Sequence, residues 1–359
     1  MAGTAASVNS RSGCPFPHNQ VVKHSARCGV VSQGPVPGVA CLPVTPAIRE
    51  TSSVPYGDSG IERGLNIRMD LPSPSLEVAP PPFTITWPAR QSVPMVVASP
   101  HSGRAYSPAF LAAARLDPLS LRRSEDSFVD ELVGQAPAFG VPLLAATLPR
   151  AWCDVNREAW ELDPGMFADA LPPWVNTTSP RVHVGLGTIA RVVSTGEQIY
   201  RDRLRFADAE ARVRTCWQPY HDALTHLLTG TRHAHGACLL VDCHSMPAQS
   251  CDNRRGQPDF VLGDAYGTAC SPRITRTLEH ALTGAGYTVR RNDPYAGGYI
   301  TRHYGRPREG LHVIQLEIAR RLYMDESLIE KHAGFEPLRR DLSQILATLA
   351  TLSRDLLDL

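Results

Sequence analysis

The chain has 359 residues, of which 43% are hydrophobic, and its 36 basic and 35 acidic side chains leave a formal net charge of +1. This balance excludes a strongly charged partner, and without a basic stripe or a recognition motif we expect no nucleic-acid binding. No apolar run approaches the roughly 18 residues of a membrane span, and the N-terminus lacks the apolar core of a secretory signal. The 9 cysteines show no Cys-x-x-Cys spacing, which argues against a structural zinc ribbon. Scattered free thiols fit a reducing compartment. We therefore expect a cytoplasmic protein without a membrane segment.

Residues 1–80 differ from the rest of the chain. They are rich in proline, glycine, serine and valine, and no acid occurs before Glu50. This composition predicts a disordered segment. An organelle transit peptide is one alternative, although the prolines and the lack of an amphipathic helix argue against it. We favour a third interpretation, in which Met69 is the biological start, and we expect residues 81–359 to form one large domain.

Short apolar runs alternate with helical patterns through residues 81–359. The runs predict strands at 83–87, which reads as an edge strand, and then at 93–98, 141–147, 239–246, 260–262, 287–289 and 311–318. Helical patterns occupy 117–132, 203–228, 272–283 and 327 to the C-terminus, and a glycine-rich loop is predicted at 294–305. Strands that alternate with helices indicate an α/β fold with a mixed, largely parallel sheet flanked by helices.

Two histidines follow predicted strands that are far apart in sequence. His101 comes after the run 93–98, and His244 closes the run that begins at Leu239. Ligands of open α/β sheets bind beyond the carboxyl ends of the strands, so one shared site is expected. A catalytic zinc takes three protein ligands and leaves one position open. The third would be a carboxylate, and Asp126 and Glu125 are the nearest candidates.

Glu317 is a charged residue inside an otherwise apolar predicted strand. A buried carboxylate without a partner is unfavourable, so Glu317 must either pair with an arginine or face a cleft. Arg320 and Arg321 are candidates for a structural salt bridge. In a cleft, Glu317 would instead be the general base of a hydrolase.

Several loop residues are candidates for substrate binding. Asn156, Arg157 and Arg302 carry amide or guanidinium groups, and an arginine can hold a carboxylate through two parallel hydrogen bonds. Gly298 lets the backbone approach a ligand closely. Cys243 next to His244 is a candidate nucleophile, but neighbouring residues on a strand point to opposite faces, so this pair is poorly placed.

Taken together, the motifs of residues 83–355 resemble the N-formylglutamate amidohydrolase family, which is related to zinc carboxypeptidases and aspartoacylase-like deacylases. The resemblance rests on Ser99–Gly103, Glu125–Asp130, Asp154–Arg157, Asp242–Met246, Gly297–Thr301, Gln315–Ile318 and Leu322–Glu326. It implies a zinc carboxypeptidase-like fold with one zinc ion. It also implies hydrolysis of an N-acyl amino acid, most directly N-formyl-L-glutamate.

The resemblance assigns roles residue by residue. His101 and His244 match the zinc histidines, and Glu317 matches the base. Related carboxypeptidases have a ligand glutamate three residues after the first histidine, but Arg104 stands there in this chain. We therefore choose Asp126 over Glu125 as the third ligand.

The same resemblance points to residues that would hold the substrate. Asn156 and Arg157 match a pair that holds a substrate carboxylate. Arg157 is counted with the catalytic residues, and Arg302 and Gly298 with the substrate-binding ones.

Three other functions remain open. The first is a related zinc deacylase or carboxypeptidase that acts on another N-acyl amino acid or on a peptide C-terminus. The second is a non-catalytic binding protein of the same fold, and the third is a metal-free cysteine hydrolase that uses Cys243.

Overall fold

A computed structural model describes residues 80–248 and 256–357 of the chain. The predictions of a disordered N-terminal segment and of a start at Met69 lie outside the described residues, apart from Pro80. None of the helices in the described ranges is long and apolar enough to cross a membrane.

The centre of the fold is a seven-stranded sheet with the order β1-β3-β2-β4-β7-β5-β6. Its strands are β1 (Phe83–Thr86), β2 (Met95–Ser99), β3 (Leu143–Ala146), β4 (Cys238–Met246), β5 (Phe260–Gly263), β6 (Val289–Arg291) and β7 (Leu311–Ala319). The strands β3, β2, β4 and β7 run parallel to one another, whereas β1 is antiparallel to β3 and β5 is antiparallel to β7. The predicted mixed, largely parallel sheet is confirmed, and β1 lies at its edge as expected.

Helices cover both faces of this sheet. They are α1 (Pro108–Ala113), α2 (Pro118–Arg122), α3 (Val129–Leu132), α4 (Pro180–His183), α5 (Phe206–Arg212), α6 (Gln218–His235), α7 (Pro272–Gly284), α8 (Tyr299–Tyr304) and α9 (Phe335–Leu357). A short hairpin of β8 (Met324–Asp325) and β9 (Glu330–Lys331) precedes α9. A π-helical segment, Val213–Trp217, joins α5 to α6.

Each face of the sheet packs into its own apolar core, because side chains alternate along every strand. On one face, Leu239, Val241 and Cys243 of β4 belong to a core completed by α3, α7 and α9. On the other face, Cys238 and Leu240 belong to a core completed by α6. Asp242 and His244 continue the second series, so β4 carries them on the face that α6 covers, whereas Cys243 is buried on the opposite face.

The single helix predicted for 117–132 is wrong. The helix α2 ends at Arg122 and α3 begins at Val129, with a turn between them in which Phe128 has a left-handed φ of 67°. The polar run before Phe128 offers no apolar stripe that could hold a helix against the sheet. Its backbone bonds to the first histidine loop instead, because Asp126 N donates to His101 O over 3.0 Å.

Among the other boundaries that differ from the predictions, two involve polar segments. The last helix begins at Phe335 rather than at Ser327, because Asp325 accepts hydrogen bonds from the backbone of Ser327 and Leu328 and forms a turn. The predicted glycine-rich loop contains the helix α8, which starts directly after Gly298. Both differences change the local structure of polar segments, and neither changes the order of the strands in the sheet.

Candidate metal and substrate site

The candidate site lies at the carboxyl ends of β2, β4 and β7. From β2 the chain continues to β3 on one side and later crosses to β4 on the other side. Such a switch point leaves a crevice beyond the strand ends, where α/β proteins bind ligands. His244 on β4 pairs in register with Glu317 on β7, and His101 follows the end of β2.

Three buried side chains meet in this crevice. Asp126 Oδ2 lies 3.0 Å from His244 Nδ1 and 3.3 Å from His101 Nδ1, and the two Nδ1 atoms are 3.2 Å apart. Zinc bonds of about 2.0–2.1 Å in tetrahedral geometry separate neighbouring ligand atoms by about 3.3–3.4 Å. The three atoms therefore have the spacing of one face of a zinc tetrahedron. Among the described residues, this is the only group of three such side chains that could hold a metal ion.

The hydrogen bonds behind the two rings fix which nitrogens face the crevice. His101 Nε2 lies 2.7 Å from Asp154 Oδ1, and His244 Nε2 lies 3.1 Å from Asp242 Oδ2. If each Nε2–H donates a hydrogen bond to its carboxylate, each Nδ1 is left to face the crevice and can present a lone pair to a cation. Two lone pairs and a carboxylate oxygen facing one another repel unless a cation lies between them, so the donor set fits a metal ion.

Asp154 was not predicted as a functional residue. It accepts from His101 and from the backbone N of Asn156 over 2.9 Å, and Arg150 Nη2 lies 2.7 Å from its other oxygen. Burial alone would raise its pKa, but Arg150, His101 and Arg157 together hold the pKa well below its usual range. The sequence feature that could have indicated its role is its position two residues before Asn156, within the motif Asp154–Arg157.

Asp126 is oriented by side chains that are distant from it in the sequence. Ser245 Oγ donates to Asp126 Oδ1 over 3.1 Å, and Arg320 Nη2 lies 3.3 Å from the same oxygen. The other candidate, Glu125, accepts from Ser127 and from Arg122 instead. The structure thus brings Asp126, and not Glu125, into contact with the two histidines.

Burial raises the pKa of Glu317 to about 7. Gln315 Nε2 donates to its Oε1 over 2.7 Å, and Gln315 Oε1 in turn accepts from Gly298 N over 2.7 Å. The alternative of a salt bridge is wrong, because Arg320 pairs with Asp126 and Arg321 with Asp259. Glu317 therefore faces the crevice as a carboxylate held by a neutral amide.

Asn156 lies beside the second histidine, and Arg157 lies beside Asp154, the partner of the first. Asn156 Nδ2 is 3.2 Å from His244 Nε2, while its Oδ1 accepts from Ile300 N over 2.8 Å. A Cβ on Gly298 would lie 2.4 Å from Asn156 Nδ2, so this close approach requires glycine. Arg157 is buried and donates to the carbonyls of Leu186 and Asn156 over 2.9 and 2.8 Å.

Helices α5 and α6 hold this loop from behind. Arg212 donates to Trp152 O over 3.3 Å, and Trp217 Nε1 donates to Arg157 O over 2.9 Å. His221 Nε2 lies 2.8 Å from Val155 O, and its Nδ1 lies 2.8 Å from the Tyr304 hydroxyl. Burial lowers the pKa of His221 to about 4, so the neutral ring donates to the carbonyl and accepts from the tyrosine.

A cavity of about 460 Å³ opens above the three ligand atoms. The predicted site residues His101, Asp126, Asn156, Arg157, His244, Gly298, Arg302 and Glu317 all line it. Arg150 and Arg181 also line the cavity and were not predicted. The Cys243 thiol is absent from its wall, and burial raises the pKa of that thiol above its usual range, which removes it as a nucleophile.

Comparison with known proteins gives a consistent result. A family profile described as N-formylglutamate amidohydrolase matches residues 93–324. An N-formylglutamate deformylase of Pseudomonas aeruginosa is 31% identical over 242 residues, which are 66% of this chain and 84% of that protein. Its Pseudomonas putida counterpart is 30% identical over 239 residues, which are 66% of this chain and 83% of that protein.

Solved structures extend the similarity to the fold. The crystal structure of N-formylglutamate amidohydrolase from Ralstonia eutropha is 37% identical and superposes with a TM-score of 0.73, covering 77% of this chain and 99% of that one. An Agrobacterium tumefaciens gene product shares the fold with a TM-score of 0.53 at 17% identity, over 76% of this chain and 94% of that one.

Proposed function

Because the chain belongs to the N-formylglutamate amidohydrolase family, we propose that it hydrolyses N-formyl-L-glutamate to formate and L-glutamate. The observation that carries this proposal is the convergence of two histidines, Asp126 and Glu317 at the floor of one cavity. A water molecule adds to the formyl carbon, the carbon–nitrogen bond breaks, and the amine leaves with a proton.

We further propose that His101, Asp126 and His244 hold a zinc ion. Their three ligand atoms have the spacing of a zinc tetrahedron, and Asp154 and Asp242 orient the two rings. Zinc in such a site supplies a Lewis acid that polarises a carbonyl and makes water more acidic. His101, Asp126 and His244 would hold the ion through three ligands and would leave it able to bind a water molecule or the substrate.

In this proposal, Glu317 moves the proton. Its carboxylate takes a proton from the attacking water and passes it to the nitrogen of the leaving amine. A pKa of about 7 suits both transfers, since the group can gain and lose a proton near neutral pH. Gln315 holds the carboxylate through one oxygen and leaves the other free to face the cavity.

The substrate carboxylates would be held by cationic and amide groups on the cavity wall. Asn156, which adjoins His244, and the neighbouring Arg157 suit the α-carboxylate, which is close to the reacting nitrogen. Arg302 lines the wall on the helix that starts after Gly298 and adds a second guanidinium. We assign Arg157 a second role in this proposal, the stabilisation of charge that develops on the formyl oxygen.

A panel of N-acyl amino acids and peptides, assayed with purified protein and zinc, tests the proposed reaction. N-formylglutamate should be turned over fastest, with formate and glutamate released in equal amounts. A chelator should abolish the activity and added zinc should restore it. Faster turnover of another N-acyl amino acid or of a peptide C-terminus would favour the related deacylase or carboxypeptidase, and binding without turnover would favour a non-catalytic protein.

We also propose that the enzyme acts in the cytoplasm on a small-molecule substrate. Five cysteines of the described ranges are free and buried: Cys153, Cys216, Cys238, Cys243 and Cys270. Free thiols are typical of reducing compartments. Cell fractionation with detection of the native protein tests this location.

A further inference from the structure

We propose that Arg181 selects substrates whose side chain ends in a carboxylate. This inference rests on the proposed function and names a residue that determines the specificity of the same site. Arg181 is an exposed residue of α4 that lines the cavity above the three ligand atoms.

Five arginines line the cavity, and three of them are already engaged. Arg150 pairs with Asp154 over 2.7 Å, and Arg320 binds Ser245 and Asp126. Arg157 donates to two backbone carbonyls through Nε and Nη1, so only its Nη2 remains for the α-carboxylate. The other two, Arg181 and Arg302, form no side-chain hydrogen bond or ion pair with any residue that the structure describes. Their guanidinium groups can therefore bind a ligand without breaking an existing contact.

The backbone of Arg181 is tied to the buried guanidinium of Arg157. Arg181 O accepts from Leu186 N over 2.8 Å, and Leu186 O accepts from Arg157 Nε over 2.9 Å. Ser179 caps α4 by accepting from Val182 N over 3.1 Å, which fixes the start of this short helix. The position of the Arg181 backbone is thus set by the residue proposed to hold the α-carboxylate.

Arg181 lies close enough to Arg157 for their charges to interact. Burial lowers the pKa of Arg157 to about 10; Asp154 and Glu161 oppose this decrease, whereas Arg150 and Arg181 add to it. The carboxylate of Asp154 lies 3.9 Å from Arg157 Nε and already pairs with Arg150. An incoming carboxylate next to Arg181 would relieve the repulsion among three like charges.

The depth of the two arginines assigns one substrate carboxylate to each. Arg157 is buried beside Asn156, which adjoins His244, whereas Arg181 is exposed. The α-carboxylate lies close to the reacting nitrogen and stays deep in the cavity. The carboxylate at the end of the side chain reaches further out, where Arg181 is available to bind it.

The experiment compares N-formylglutamate with N-formylglutamine, which has almost the same shape but lacks the side-chain charge. Because Arg181 is exposed, R181M should lower kcat/KM for N-formylglutamate by about fivefold, mainly through KM. The value for N-formylglutamine should change by less than about twofold. R181K should recover part of the preference because it keeps the charge.

R276M is the matched control, since Arg276 is an exposed arginine of α7 that does not line the cavity. It should leave the preference for N-formylglutamate unchanged. Equal losses for both substrates in R181M, or no loss for either, would overturn the assignment.

If the wild type hydrolyses neither compound, the proposed reaction fails, but Arg181 can still be tested. Calorimetric titration of the zinc-loaded protein with glutarate should then show binding that R181M weakens, and equal binding by both proteins would refute the role of Arg181.

Discussion

The floor and the rim of the cavity are built in opposite ways. At the floor, His101, Asp126 and His244 are 1–3% exposed, and every ring nitrogen has a neighbour within hydrogen-bonding distance. At the rim, Arg181 and Arg302 are exposed and have no side-chain partner among the described residues. The difference indicates that the floor is organised before a ligand arrives, whereas the rim is completed by the substrate. Changes at the floor should therefore affect metal content and kcat, and changes at the rim should affect KM and selectivity.

The largest effect is expected from H244A. Removing one of two nitrogen donors leaves a site too poor in ligands to retain zinc, so metal content and turnover should both fall to background. Metal analysis of purified protein should give one zinc per chain in the wild type. H233A is the control, because His233 is exposed near the end of α6. Full zinc retention in H244A would remove His244 from the site.

E317Q separates proton transfer from metal binding. Glutamine has nearly the same shape but cannot accept the proton, so kcat should fall by about 10²- to 10⁴-fold. Zinc content and substrate binding should stay close to wild-type values, as measured by metal analysis and by titration with substrate. Turnover near the wild-type rate would show that Glu317 is not the base.

His221, which supports the loop behind the floor, should make the stability of the fold depend on pH. The pKa of His221 is lowered to about 4 in the folded chain, mainly by burial, with a smaller effect of His303 and an opposing one of Asp222. An unfolded histidine titrates near pH 6.5, so the unfolded state binds more protons between these values. The contribution of His221 to the free energy of unfolding is therefore complete above about pH 6.5. It should fall by about 3 kcal/mol as the pH drops towards 4.

Urea unfolding at a series of pH values measures this dependence. H221Q keeps a polar side chain but does not titrate, so its stability should fall less over the same range. An identical decrease in both proteins would assign the pH dependence to other groups.

The smallest effect is expected at the rim. R302M removes one exposed guanidinium, and an exposed ion pair contributes at most about 1 kcal/mol, so KM for N-formylglutamate should rise by at most about fivefold. The value of kcat and the zinc content should be unchanged, as steady-state kinetics and metal analysis would show. A large decrease in kcat would instead place Arg302 with the residues of the floor.

The strands of the floor could be predicted from the sequence for a simple physical reason. Parallel strands buried on both faces are nearly continuous apolar runs, so a polar residue at the end of such a run stands out. His244 and Glu317 were found in this way, and their positions on neighbouring strands follow from the sheet order. The opposite placement of Cys243 followed from the alternation of side chains along a strand.

The rim and the residues behind the histidines could not be predicted in the same way. Asp154 lies in a loop whose path depends on helices α5 and α6, which contact it through backbone carbonyls. Arg181 lies in a connection of about 30 residues whose course no periodic pattern reveals. The turn around Asp126 broke a predicted helix because its contacts are with a distant loop rather than with residues one helical turn away.

The π-helical segment between α5 and α6 has a consequence for how this enzyme could change. A π-helical turn holds one residue more than an α-helical turn. Arg212 before the segment, Trp217 at its end and His221 after it all reach carbonyls of one loop. Deleting a single residue there would rotate one helix against the other by about 100°. The deletion would keep the helices and the residues of the site. The loop, however, could no longer contact the supporting residues of both helices.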